Sequence, residues 1–513
     1  MPTTTTTIPA DPQQAYAALV TELREVSLFA SVGAVLSWDE QTFMPPGAAE
    51  HRAEQASLVA RVTHERATAP RVGELLAAVE HSDLVKDPEG DAAVNVRVAR
   101  RDYDRATKLP PALVEEMART EVLAQQAWAE ARRKSDYPAF RPWLEKVLKL
   151  KRQECACVGY ADDPYDALLD QYEPGETAAT VRATFEALRG PLVELVGKIV
   201  GSGRQAPLHI LERHYPAAAQ ERLSRDAATA AGFDFARGRL DVSVHPFSTQ
   251  LGRGDVRITT RYDEANFADG FFSTLHEVGH ALYNQGLPPA HYGTPRGRDV
   301  SLGIHESQSR MWENLVGRSR AFWQHFLPQA RAAFPQALAG VSDDQWHFAV
   351  NDVRPSLIRT ESDEATYNLH VLLRFEVERA LLREELSPDD LPTAWDERME
   401  RYLGVRPPND AQGCLQDIHW AGGAVGYFPT YTLGNLYAAQ FFERARADLG
   451  DLDAQFARGD FKPLLDWLRQ NIHDQGMKYA PRDLVRRVTG QDLQPTALLA
   501  HLRRKAAELY GVG

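Results

Sequence analysis

The sequence predicts a mainly α-helical protein, a single large helical body with a deep cleft and one small β-hairpin or sheet. Three observations carry that expectation. Residues 12 to about 200 are dense in Ala, Leu, Arg and Glu at helical spacing, and the same texture resumes after residue 300 and runs to the end. Between these regions, residues 239–262 alternate apolar and polar, the period of a strand. The 513 residues would suggest about three domains at about 150 residues each, yet no Ser/Gly-rich linker, low-complexity run or internal repeat divides them.

In chain order, residues 1–11 are expected to be a flexible N-terminus and 12–513 a single unit. Breaks at Pro45-Pro46, Asp87-Pro88-Glu89-Gly90 and Pro110-Pro111 cut residues 12–200 into four to six long helices. Thr177 is placed to cap the one ending near Gly201. Leu240, Val242 and Val244 alternate with Asp241, Ser243 and His245, and past a Gly-containing turn Val256 and Ile258 alternate with Asp255, Arg257 and Thr259. This reads as a β-hairpin over 239–262. Its second strand puts Asp255, Arg257 and Thr259 on one face, either as a solvated polar face or as an edge strand able to align an extended peptide. Residues 269–513 are then helical. A helix is expected over Phe271–Gln285, capped by Asp269 and stopped by Gly286 and Pro288. Others are expected from Gln308 to Phe326, Glu364 to Leu386 and Tyr437 to Asp448.

Composition excludes several classes. A net charge of −13 argues against a nucleic-acid partner that needs a basic face. No run approaches 18 uninterrupted apolar residues, so no membrane span is expected. The start, Met1-Pro2 and a Thr run to Thr7, lacks the basic and apolar regions of a signal peptide. Of three cysteines, Cys155 and Cys157 are too close for an ordinary disulfide, which favours a reducing compartment. A cytoplasmic location is expected.

The chemistry concentrates in His276-Glu277-Val278-Gly279-His280. Histidines at i and i+4 share one helix face, the geometry for gripping Zn2+ with two imidazoles, and Glu277 beside them is placed to act as general base. The bland reading is a core helix with hydrogen-bonded histidines. Catalytic zinc needs another protein ligand and one open position. A third histidine six residues after the second is excluded, because that position is Gly286. Glu306 in His305-Glu306-Ser307-Gln308 offers a carboxylate after 25 intervening residues. His305 could compete, but neighbours on a helix point about 100° apart, so only one of the two faces the metal. Glu306 could otherwise be a carboxylate that favours a helix start.

These residues accumulate into a resemblance. The chain resembles the Taq-type thermostable zinc carboxypeptidases over nearly its whole length. The matching motifs are His245-Pro246-Phe247, Asp255-x-Arg257-x-Thr259, His276-Glu277-x-x-His280, His305-Glu306-Ser307-Gln308, Ile358-Arg359-Thr360-Glu361-Ser362-Asp363 and Gly413-x-x-Gln416-Asp417-x-His419-Trp420. Near the N-terminus, Ser37-Trp38-Asp39 and Met44-Pro45-Pro46-Gly47 resemble the family's entrance segment. Ser362 departs from the family's usual alanine. Thermolysin is further away, since its kind carry Asp four residues after the ligand Glu and here that position is Arg310.

The resemblance implies a helical, clefted homodimer that removes single residues from peptide C-termini with one divalent metal per subunit, Zn2+ foremost and Co2+ the other option. The wider fold is similar to thimet oligopeptidase and angiotensin-converting enzyme. By comparison with the oligopeptidases, Tyr431 donates to the oxyanion with His419 supporting it. An exopeptidase must also recognise a free carboxylate, which suits a forked guanidinium. Arg359 is the candidate the resemblance implies and Arg257 the reserve, with His245 and Tyr427 expected at the substrate. Either arginine could instead pair with a nearby Asp363 or Asp255. Two rivals stand beside this reading: a zinc oligoendopeptidase, which shares every metal feature, and a non-catalytic protein that keeps only the fold.

Overall fold

The computed structural model describes residues 8–513, so residues 1–7 of the expected flexible terminus lie outside the described residues. The described residues are 68% helical and form one three-stranded sheet. Six long helices fill the first two hundred residues: Pro12–Thr42, Ala49–Ala67, Asp91–Lys108, Pro111–Lys134, Tyr137–Val158 and Ala178–Gly201. Shorter ones, Pro70–Val79 and Pro164–Leu169, lie between them. Proline at the first helical position starts several of these, where its missing N–H is no loss. Thr177 caps the last long helix through a capping box with Thr180.

Most apolar side chains join one core that runs from Ala124 to Tyr510. A second, small core of Ala15, Leu19, Val72, Leu75, Leu76, Val79, Val96 and Ala99 ties the first helices together. The hairpin of Pro12–Thr42 and Ala49–Ala67 projects from it as an arm, and its second helix buries no residue. Trp38 anchors the arm to the sheet, with the Arg257 and Arg239 guanidinium carbons 4.2 and 5.2 Å from its ring centre.

The alternating segment folds differently from the expected hairpin. Strand β1 (Gly238–Val242) pairs parallel, not antiparallel, with β3 (Asp255–Thr260), in register from Gly238 opposite Val256 to Val242 opposite Thr260. The antiparallel partner of β3 is β2 (Ser248–Gly252), which occupies the connection between them, and the order is β1-β3-β2. The true hairpin is therefore β2–β3. It also follows that β3, which carries Asp255, Arg257 and Thr259, is the central strand, so its backbone pairs on both sides and cannot serve as the edge that aligns a peptide.

Three helices set the geometry of the site. The histidine helix, Phe267–Gly286, begins four residues earlier than expected. Asn266 is its cap, accepting from Asp269 N–H, while Asp269 pairs with Arg261 at 2.7 Å inside the first turn. Phe267, Phe271, Leu275, Val278 and Leu282 are buried along its core face. The glutamate helix, Leu302–Arg310, is only nine residues long and is capped by Ser301. It runs into a π-helical turn, Met311–Val316, before a new helix starts at Arg320, so the continuous helix expected from Gln308 to Phe326 is broken. Buried Glu173 holds its start, accepting from Gly303 N–H at 2.9 Å, Ser301 Oγ at 3.0 Å and Tyr437 Oη at 2.8 Å. The tyrosine helix, Pro429–Leu449, packs on its other side.

Glycines permit these contacts. A Cβ added at Gly279 would lie 2.5 Å from the carbonyl oxygen of Gln308, and one added at Gly434 would lie 2.7 Å from Glu306 Cβ. The glutamate helix is thus pressed between its neighbours at backbone distance. Gly279→Ala is expected to force the histidine and glutamate helices apart and lower unfolding free energy by about 1–3 kcal/mol, the usual penalty for overpacking. Chemical denaturation checks this, and wild-type stability in the variant would contradict the packing argument.

Candidate metal centre

The pressed helices bring three side chains to one point. His276 Nε2 lies 3.6 Å and His280 Nε2 lies 3.4 Å from Glu306 Oε2. All three ligand atoms fall within 4.8 Å of one another, the one group of its kind among the described residues. A tetrahedral Zn2+ with bonds of about 2.0–2.1 Å separates its ligand atoms by about 3.3 Å, so two imidazole nitrogens and a carboxylate oxygen stand at close to the required spacing. The donor set fits the metal.

The remaining atoms of these ligands are held from behind. His276 Nδ1 lies 2.9 Å from Glu313 Oε2. Arg310 donates to Glu306 Oε1 at 2.9 Å and to Glu313 at 3.2 Å, which leaves Glu306 Oε2 turned to the histidines. Burial pushes Glu306 up, but His276, Arg310 and His280 outweigh it and hold the carboxylate well below its usual range. Burial likewise pushes His276 down, yet Glu306 and Glu313 raise it to about 9. The pocket therefore favours positive charge at Nε2, whether a proton or a metal ion. Sequence reasoning passed over Glu313 as a helical residue. It stands seven residues after Glu306, two turns along the same face, and that spacing could have flagged it.

Glu277 points off the histidine face, buried at 7% exposure. Burial raises its carboxyl to about 7, against the pull of His276. A carboxyl that exchanges its proton near neutrality is suited to general-base work.

A second cluster lies against the tyrosine helix. Arg359 and Arg374, both buried, share one carboxylate: Asp417 accepts from Arg359 Nη2 at 2.8 Å and from Arg374 Nε at 2.7 Å. Arg359 Nη1 donates to Tyr367 Oη at 2.8 Å. His419 joins this cluster to Tyr431, with Asp417 Oδ1 3.8 Å from its Nδ1 and Tyr431 Oη 3.4 Å from its Nε2. Burial pushes His419 down to about 4, so its ring is neutral, and burial raises Tyr431 well above its usual value, so it stays a donor. Tyr431 precedes Gly434, the contact with Glu306, by less than one turn, which aligns the two clusters. Tyr427 packs on Tyr431 and His419 with ring centres 5.3 and 5.4 Å away. Asp417 was quoted in the motif but given no role. Its pairing with two arginines from other segments has no local sequence signal.

The other expected substrate residues lie apart. Arg257 is paired with Asp255 at 2.8 Å and covered by Trp38. His245 is exposed, and its carbonyl accepts from Ser243 Oγ at 2.6 Å. The motifs around them are joined, since Thr259 Oγ1 accepts from Phe247 N–H at 3.0 Å. Among the described residues, no hydrogen bond or ion pair links Arg257 or His245 to His276, His280, Glu306 or Arg359.

A buried carboxyl beside two imidazoles and a carboxylate at metal spacing, on a helical scaffold, defines a hydrolytic metalloenzyme of the HExxH kind. Comparison with known proteins narrows the class. The chain is 52% identical over 509 residues to "Thermostable carboxypeptidase 1" of Thermus thermophilus, spanning 98% of this chain and all of that one. It is 38% identical to "Carboxypeptidase 1" of Bacillus subtilis, over 95% of this chain and 97% of its relative. The crystal structure of the M32 carboxypeptidase from Deinococcus radiodurans R1 superposes with a TM-score of 0.94 at 44% identity, covering 97% of this chain and 100% of that one. Residues 18–506 match the family described as carboxypeptidase Taq (M32) metallopeptidase, and the chain belongs to that family. It is a metallocarboxypeptidase, a divalent-metal hydrolase of peptide bonds.

His276→Ala and Glu306→Ala are each expected to lose the single equivalent of metal measured by elemental analysis. Full retention in both would refute the ligand set.

Proposed function

We propose that the enzyme releases single residues from peptide C-termini with Zn2+ held by His276, His280 and Glu306 and Glu277 as general base. Two histidines and a glutamate are a donor set of catalytic zinc, and this favours Zn2+ over Co2+. When bound, the metal supplies Lewis-acid chemistry, acidifying water and polarising the scissile carbonyl. Glu277 takes the proton of the attacking water and later hands it to the leaving amine. Tyr431 donates to the developing oxyanion, and His419 holds the tyrosine hydroxyl in place. Tyr427 packs against this pair.

One observation carries the exopeptidase reading. Two buried arginines share a single carboxylate, so one positive charge is left over, and two of the five N–H groups of Arg359 have no partner among the described residues. A buried excess charge is costly until an anion completes it. The Arg359 guanidinium carbon lies 4.9 Å from the centre of the Tyr431 ring, which supports capture of a substrate's terminal carboxylate close to the oxyanion donor. Arg257, with its own carboxylate and Trp38, is the reserve, and His245 is kept as an outer contact. An oligoendopeptidase has no need of such a charge.

Homodimeric assembly belongs to the same proposal on the strength of the family resemblance. Its cytoplasmic placement is supported by three free cysteines.

Glu277→Gln is expected to keep its metal and lose at least about 10²-fold in turnover. A variant with wild-type turnover removes Glu277 from the mechanism. Arg359→Ala is expected to lose roughly 10- to 150-fold in kcat/KM on peptides with a free C-terminus, the worth of a charge-assisted hydrogen bond of about 1.5–3 kcal/mol. It should treat amidated peptides as poorly as wild type does. Equal cleavage of free and amidated peptides by wild type would replace the carboxypeptidase reading with the oligoendopeptidase. Discrimination that survives in Arg359→Ala would pass the role to Arg257.

A further inference from the structure

His305 precedes the ligand Glu306, and by sequence alone it is a rival for the metal. In the structure it stands behind the site. Its Nδ1 lies 2.5 Å from Nδ1 of His280, whose other nitrogen, Nε2, faces Glu306. Nε2 of His305 lies 3.3 Å from Asn284 Oδ1, one turn further along the histidine helix from His280. The His305 ring is clasped between His280 and Tyr283, with centres 4.6 and 5.2 Å away.

The polarity of this chain of contacts follows once His280 ligates through Nε2. Two ring nitrogens at hydrogen-bond distance share one proton, so one donates and the other accepts. A neutral histidine that ligates through Nε2 carries its proton on Nδ1. His280 therefore donates to His305 Nδ1, and the proton of His305 sits on Nε2, aimed at the carbonyl oxygen of Asn284. Every donor meets an acceptor with both rings neutral. The reverse order would put the His280 proton on Nε2, where the metal must bind, and would set a lone pair of His305 against the oxygen of Asn284.

We propose that His305, backed by Asn284, is a positioning residue that holds His280 in the Nδ1–H tautomer and at the ring angle metal ligation needs. This rests on His280 being a ligand. His305 is the counterpart of Glu313 behind His276, with a neutral acceptor in place of an anion. The two histidines are consequently unequal donors, and His276 is the more electron-rich.

The test is zinc affinity by chelator competition, with stripped and reloaded full-length protein. His305→Phe keeps a ring of similar size without an acceptor, and His305→Gln offers a side-chain carbonyl. The phenylalanine variant is expected to weaken zinc binding about 10- to 100-fold and the glutamine variant to recover most of that loss. Long-range 1H–15N NMR of zinc-loaded wild type should find the His280 proton on Nδ1 and the His305 proton on Nε2. Zinc affinity in His305→Phe within about threefold of wild type overturns the proposal, since the main chain around His305 would then suffice. Equal weakening in both variants with lowered thermal midpoints of the stripped proteins also overturns it, in favour of a packing role. His280→Ala separates the premises. If it retains zinc, the ligand assignment fails; if it loses zinc while His305→Phe binds normally, the present inference alone fails.

Discussion

Everything at the centre depends on how closely three helices approach. The nine-residue glutamate helix has no room of its own: Gly279 admits its backbone on one side and Gly434 admits the Glu306 side chain on the other. An isolated helix of that length is marginal in water, so its form comes from its neighbours, its Ser301 cap and the Glu173 carboxylate at its start. The same two contacts set Glu306 against the histidines and leave Tyr431 within a turn of Gly434, where the tyrosine helix meets that glutamate. Ligand spacing is in this sense a packing property, decided by backbones at van der Waals distance rather than by the ligands themselves.

Around that frame the charges are buried and nearly balanced. Arg310 serves Glu306 and Glu313 together, and Asp417 serves Arg359 and Arg374 together, so the acids and bases are arranged as chains rather than isolated pairs. The acidic chain gathers negative charge beside the histidine pair, and the arginine chain leaves positive charge beside Tyr431. Opposite surpluses a short distance apart are what a reaction needs when it holds a metal at one end of a substrate and a carboxylate at the other. Glu173 and Glu378 are carboxyls of another kind, buried with no ion-pair partner among the described residues. Tyr165 at 2.6 Å and Trp420 at 2.8 Å donate to Glu378, which thereby pins the segment leading to Tyr427 and Tyr431.

Legibility in the sequence followed range. The helix that carries the histidine pair and Glu277 is a local pattern of spacing and it reads through, though its cap and the helix after Gln308 differ from expectation. Glu306 could be singled out as a candidate because eliminating the nearer positions left a carboxylate on a later helix, and the structure places it beside the histidines. The sheet was misjudged because the weakly alternating Ser248–Gly252 was overlooked, and without it β1 and β3 look like neighbours in a hairpin. Asn266 displaced Asp269 as cap because both residue types suit either position, and tertiary pairing with Arg261 decided between them. The pairing of Asp417 with two arginines and the turning of His305 behind His280 became visible only in three dimensions, where residues distant in sequence choose partners.

The short glutamate helix has one further consequence, for the stability of the whole molecule. Its ligand and the two histidines belong to different helices, so an ion that grips all three acts as a cross-link between packed segments and binds the native state alone. By mass action such an ion stabilises folding by RT ln(1 + [M]/Kd), about 4 kcal/mol at a thousandfold excess over Kd. With the proposed ligand set, metal supply and folding stability are linked in this protein, and the packing of Gly279 against Gln308 bears on both.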